Sequence, residues 1–198
     1  IQQRLAIQQD LPLEPTRQLL DQLFVDFKPT QDQPLDWQKI ACALAARTAF
    51  GIITGGPGTG KTTTVVRLLA LLQGLQMQAG KTPLVIRLAA PTGKAAARLS
   101  ESLAGSVADV KLPAELAACR DAIPTEVSTL HRLLGSQPNT RHFRHHAGNP
   151  LPADLVVVDE ASMVDVEMLA RLLDALTPST RLILLGDKDQ LASVEAGS

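Results

Sequence analysis

The stretch Phe50-Gly51-Ile52-Ile53-Thr54-Gly55-Gly56-Pro57-Gly58-Thr59-Gly60-Lys61-Thr62-Thr63 decides the fold. Its first five residues form a short apolar run that stops at a pair of glycines, which reads as a buried strand. The spacing that follows, Gly55-x4-Gly60-Lys61-Thr62, is that of a phosphate-gripping loop. Its backbone N–H groups wrap a β-phosphate, Lys61 reaches the β- and γ-oxygens, and the Thr62 hydroxyl is offered to Mg²⁺. The glycines are needed because a Cβ would block the backbone's approach or forbid a positive-φ turn. Residues 62–73 show helical spacing, so the loop joins a strand to a helix, the context that makes the pattern specific.

The same alternation continues outward. Apolar runs at 84–90, 155–158 and 182–185 are separated by helical patterns, among them 92–103. Runs that are apolar throughout suit parallel strands covered on both faces, which predicts an α/β, doubly wound parallel sheet. Asp36 is placed to cap a helix beginning at Trp37. Residues 1–36, broken by Pro12, Pro15, Pro29 and Pro34, read as a helical lead-in and the end of an N-terminal region. Residues 37–198 then form the nucleotide domain, with further helices over 102–126 and a loop or small hairpin insert at about 135–152.

Composition narrows the function classes. The chain has 198 residues, 45% hydrophobic and 20% charged, and no apolar run approaches a membrane span. A net charge of −1 does not advertise nucleic acid, so a DNA-binding role has to come from local motifs. With one Trp, four Phe and no Tyr, an extended base-stacking platform is not expected. Cys42 and Cys119 lie in Ala/Leu-rich stretches and read as small buried residues, and a cytoplasmic location is expected. The chain starts at Ile1 and stops just after a strand-like segment, as a portion of a longer protein would.

Two acids end the third run, Leu155-Val156-Val157-Val158-Asp159-Glu160. Beside a phosphate loop, Asp159 is expected to hold Mg²⁺ while Glu160 orients and deprotonates the attacking water. The fourth run leads into Gly186-Asp187-Lys188-Asp189-Gln190-Leu191, which places an amide, Gln190, to sense a γ-phosphate. All four histidines fall between His131 and His146. The spacing His142-x2-His145-His146 matches no standard zinc set, so this segment reads as a solvated basic loop.

Five segments taken in order carry a resemblance. They are the loop 55–63, Ala89-Ala90-Pro91-Thr92-Gly93-Lys94-Ala95-Ala96, Ser128-Thr129-Leu130-His131-Arg132-Leu133-Leu134, Val158-Asp159-Glu160-Ala161-Ser162-Met163-Val164-Asp165 and Leu185-Gly186-Asp187-Lys188-Asp189-Gln190-Leu191. Together they resemble superfamily 1 DNA helicases of the 5′→3′ branch, RecD-like in type, and span most of the chain from Trp37 onward. The resemblance implies the first RecA-like P-loop motor domain of an ATP-dependent helicase. Such a motor moves 5′-to-3′ on single-stranded DNA in double-strand break repair and recombination. In an exonuclease V complex its partners are RecB- and RecC-like subunits.

The resemblance also implies residue roles. Gln38 looks like the adenine-reading glutamine, and Gly56, Pro57, Gly58, Thr59, Gly60, Lys61, Thr62 and Thr63 like the ATP cradle, with Thr62 and Asp159 on Mg²⁺. Pro91, Thr92, Gly93 and Lys94 look like a grip on single-stranded DNA phosphates, with Thr129 and His131 as a second DNA element. Gln190 looks like the coupling residue. The insert would be a hairpin beside the DNA path, with Phe143 as its base-facing tip. A second RecA-like domain with its arginine finger, worth roughly 10³–10⁵ in turnover, is expected outside this chain, which alone should bind nucleotide and hydrolyse it poorly. Two other readings share parts of this pattern: the helicase half of a conjugative relaxase, and a P-loop switch or scaffold that binds ATP without moving. A pure binding module has no use for Glu160.

Overall fold

The computed structural model describes residues 4, 7–31, 33–56, 58–112, 114–137, 140 and 142–187. Pro57 and Gln190, which carry expectations above, lie outside the described residues. Helices α1 (Leu13–Leu23) and α2 (Trp37–Ala46) precede strand β1 (Phe50–Thr54), which feeds helix α3 (Lys61–Gln78). Next come β2 (Ile86–Ala90), α4 (Gly93–Asp109), β3 (Ser128–Thr129), α5 (Leu130–Leu134), β4 (Leu155–Val158), α6 (Val166–Ala175) and β5 (Arg181–Gly186).

The strands form one sheet in the order β1-β5-β4-β2-β3, and every pairing is parallel. The period of two along each strand divides the core. Leu155, Val157, Ile183, Leu185, Leu88 and Ile53 pack beneath α1 to α4, whereas Val156, Val158, Leu182, Leu184, Phe50 and Ala89 pack with α5 and α6. This two-sided burial is why the runs are apolar throughout. The fold is the expected α/β, doubly wound sheet. A parallel sheet also gathers the carboxyl ends of its strands along one edge, where ligands of such folds bind.

Some boundaries differ from the sequence expectation for a physical reason. The helix expected to fade at Gln73 runs on to Gln78. Gln73 is fully buried, and its amide is satisfied: Nε2 donates to the carbonyls of Leu84 (3.0 Å) and Ala122 (2.9 Å), and Oε1 accepts from the Leu84 N–H (2.8 Å). With its backbone groups committed to that side chain, Leu84 stands outside β2, which begins at Ile86. Asp36 caps α2 as its position predicts, accepting from the Lys39 N–H at 3.0 Å. Cys42 and Cys119 are buried free thiols, and burial pushes the Cys42 pKa up to about 12.

The lead-in is sewn to the domain at two levels. Leu19, Leu20, Leu23 and Phe24 enter the core under α3. At the opposite, amino edge of the sheet, the Ala49 N–H donates to Ile7 and the Gln9 N–H to Arg47. Buried Arg4 donates to the carbonyls of Leu176 (3.0 Å), Thr177 (2.7 Å) and Thr180 (2.5 Å), satisfying acceptors left over where α6 ends. Arg181 completes the seam with bonds to the Ala46 carbonyl and Gln9 Oε1.

Candidate nucleotide-binding site

The loop after β1 has the backbone that its glycines predict. Gly58 and Gly60 take φ values of 75° and 79°, and a Cβ on Gly60 would lie 2.3 Å from Gln38 Nε2. The loop is braced from inside: Thr59 Oγ1 donates to the Gly56 carbonyl (2.8 Å), and the Lys61 ammonium donates to the carbonyls of Gly55 and Gly56. No side chain caps α3, so the first-turn N–H groups of Lys61, Thr62 and Thr63 remain a concentration of donors for an anion. Gln38 reaches the same loop from α2, its Nε2 donating to the Thr59 carbonyl at 3.0 Å.

Strand β4 delivers the acids. The alternation that sends Leu155 and Val157 toward α3 also sends Asp159 that way, and the Asp159 N–H is anchored on the Ala89 carbonyl at 2.9 Å. Strict alternation would throw Glu160 to the opposite face. Instead Glu160 adopts the left-handed conformation, φ 51° and ψ 40°, and both acids line one cleft with Thr62. Among the described residues it is the one non-glycine with positive φ. Burial raises the Asp159 pKa above the ordinary carboxylate value, while the Glu160 N–H and the Lys61 charge pull it back down.

The cleft, of about 480 Å³, has a basic far wall. Lys94 and Arg98, one turn apart on α4, line it together with Thr92. The structure therefore brings Lys94, read above with the DNA grip, into the same cleft as Asp159 and Glu160. Arg98 was not singled out from the sequence, although its spacing of four from Lys94 is a helical-face signal. Thr92 and Thr129 sit at equivalent places, at the carboxyl ends of β2 and β3. Each caps the next helix, Thr92 Oγ1 accepting from the Ala95 N–H and Thr129 Oγ1 from the Arg132 N–H, both at 3.2 Å. Pro91 and Gly93 flank Thr92 in that turn, and among the described residues a Cβ built on Gly93 would meet nothing within 4 Å beyond its chain neighbours and its own helix's backbone.

His131 lies apart from the cleft. Its ring meets Phe143 at 5.9 Å between centroids, tilted by 54°. The insert folds back onto α5, with the Arg144 N–H on the Gly135 carbonyl and the His145 N–H on the Leu134 carbonyl. Phe143 is half-buried: it packs against the core shared by α5 and α6 and also lines a cleft with His131 and Arg171. An aromatic residue gains more from covering exposed apolar surface than from standing in water.

Comparison with known proteins places this arrangement. The chain is 51% identical over 171 residues to the RecBCD enzyme subunit RecD of Haemophilus influenzae, covering 86% of this chain and 26% of that protein. Against the RecBCD enzyme subunit RecD of Mycolicibacterium smegmatis the identity is 53% over 162 residues, 81% of this chain and 28% of the relative. The ATP-dependent RecD2 DNA helicase of Deinococcus radiodurans is 41% identical over 146 residues, 74% of this chain and 16% of that protein. The chain thus spans about a quarter of the length of the first two relatives. Among solved structures, the UvsW helicase from bacteriophage T4 superposes with a TM-score of 0.57 at 12% identity, over 90% of this chain and 61% of that one. The HK97 bacteriophage large terminase gives 0.51 at 17%, over 89% and 38%. These two agree in fold, the RecA-like P-loop architecture. Residues 38–196 match the family model described as an AAA domain, and the chain belongs to that family, as a RecD-like member of it.

Proposed function

We propose that this chain is the first RecA-like motor domain of an ATP-dependent, RecD-like DNA helicase that moves 5′-to-3′ along single-stranded DNA in double-strand break repair. The observation that carries the proposal is the carboxyl edge of the sheet. There the phosphate loop and the two acids meet in one cleft, and the cap residues Thr92 and Thr129 stand on the next strands along.

The residues present fit Mg²⁺ and ATP. The loop has an uncapped helix terminus for phosphate, and Thr62 and Asp159, both on the cleft, would hold the ion. When bound, Mg²⁺ neutralises charge on the phosphate oxygens. Lys61 and the loop N–H groups bind and orient the β- and γ-phosphates, and Glu160 takes the proton from the attacking water. Gln190 is proposed to report γ-phosphate state to the DNA path. Thr92 and Thr129 stand at helix starts whose N–H groups suit a DNA phosphate, with Pro91, Gly93, Lys94 and His131 beside them.

An arginine finger from a second RecA-like domain would complete the site, in keeping with relatives about four times as long as the match. We assign the full-length protein to a complex with RecB- and RecC-like subunits in the cytoplasm. Among the described residues no helix is long and apolar enough to cross a membrane.

The test is Lys61→Gln in the full-length protein. DNA-stimulated ATP hydrolysis and unwinding should both fall by about a hundredfold or more, while assembly with partner subunits, read by gel filtration, is retained. Unwinding that survives the substitution refutes the motor reading and leaves an ATP-independent scaffold.

A further inference from the structure

Resting on that reading, the geometry around Gln38 assigns a role to a residue outside the phosphate machinery: we infer that Arg67 sets the adenine preference of the site by holding the Gln38 amide in one orientation. Arg67 lies on α3, six residues past Lys61. Its guanidinium carbon sits 4.6 Å from the centre of the Phe24 ring, a cation–π contact that fixes the head group. From there Nη1 donates to Gln38 Oε1 at 3.5 Å, and Gln38 Nε2 donates to the Thr59 carbonyl at 3.0 Å.

These partners are one-way. A guanidinium only donates and a backbone carbonyl only accepts, so flipping the amide would set donor against donor and acceptor against acceptor. In the fixed orientation each end still has one capacity unused, a second lone pair on Oε1 and a second N–H on Nε2. A neighbouring acceptor and donor is the complement of adenine's N6 amino donor and N7 acceptor. Guanine presents two acceptors, O6 and N7, and matches only half of it. A flipped amide would meet adenine with the wrong polarity at both points, so a rotatable Gln38 loses adenine and gains nothing decisive for guanine.

The location suits a base reader that works with the phosphate loop. Gln38 Nε2 rests where a Cβ of Gly60 would be, on the turn that leads into α3. Phe24 comes from the end of α1, so the lead-in takes part in base selection through Arg67. Arg67 touches no reacting atom and acts only through Gln38, as a positioning residue.

The experiment compares Arg67→Met, which keeps the apolar stem on Phe24 and removes every donor, with Arg67→Lys, which keeps a charge and a donor. Dissociation constants are measured by calorimetry on the full-length protein for ATP, GTP and inorganic tripolyphosphate. Arg67→Met is expected to weaken ATP about fivefold, the size of one hydrogen bond, and to lower the ATP-to-GTP ratio by the same factor. GTP and tripolyphosphate should change by less than about twofold, and Arg67→Lys should recover part of the ATP affinity. Equal weakening of all three ligands means a distorted loop and overturns the inference, as does an unchanged ATP affinity. Wild-type protein that binds ATP and GTP alike overturns it too. Wild-type protein that binds none of the three sinks the nucleotide reading itself, and the inference with it.

Discussion

Replacing Gln73 by Leu tests whether a polar side chain holds helix α3 in place. The substitution keeps nearly the same volume and removes an amide with three bonds, to the Leu84 N–H, the Leu84 carbonyl and the Ala122 carbonyl. Each backbone group left unpaired away from water costs about 1–3 kcal/mol. Leu84 and Ala122 are both only half-buried, which puts all three groups at the low end, about 1–1.5 kcal/mol each, and the added apolar burial of leucine returns about 1–2 kcal/mol. The net loss is about 2 kcal/mol, or a melting temperature lower by about 4–8 °C for a chain of this size. Urea unfolding followed by far-UV circular dichroism measures it, with thermal melts as a check. A loss below about 1 kcal/mol would refute the reasoning, because it would mean that water replaces the amide at no cost.

Two further outcomes follow from single groups. The folded Asp159 carboxyl holds its proton above the ordinary value of 3.8, so stability is lost as pH rises from there through the raised pKa. Asp159→Asn should therefore be more stable than wild type near neutral pH without nucleotide, and the two should converge below pH 3.8; melts showing no crossover toward equality contradict the assignment. Arg4→Met removes the bonds to Leu176, Thr177 and Thr180 and should cost about 2 kcal/mol. It should also speed cleavage by thermolysin at Ile7 or Leu11 while ATP affinity holds, and unchanged cleavage would show that the seam is not what secures the lead-in.

Much of the fold was legible because its signals are local. The strand before Gly55, the glycine spacing and the acids after Val158 each announce themselves within a few residues. The cap at Asp36 did so too, by its place before a helix. What escaped was carried by long-range polar bonds. Gln73 looks like the end of an apolar helix until Leu84 and Ala122 are brought beside it. Arg4 has no visible purpose 172 residues from its partner at Leu176. Arg67 reads as one more exposed cation until Phe24 and Gln38 close around it. The contact of Phe143 with His131 is of the same kind: a loop's polarity says that it meets water, and says nothing of which ring packs on which.

Glu160 has a consequence for how this site divides its free energy between folding and turnover. A left-handed glutamate costs on the order of 1–2 kcal/mol relative to glycine, which takes that conformation freely. That cost falls on the folding equilibrium, once, and under the proposed function each cycle of hydrolysis would begin with the acid already turned into the cleft. A glycine at 160 would make a sturdier protein, and under the proposed function an idle cleft. The position is therefore one where a search for stability and a search for activity pull a designer toward opposite residues.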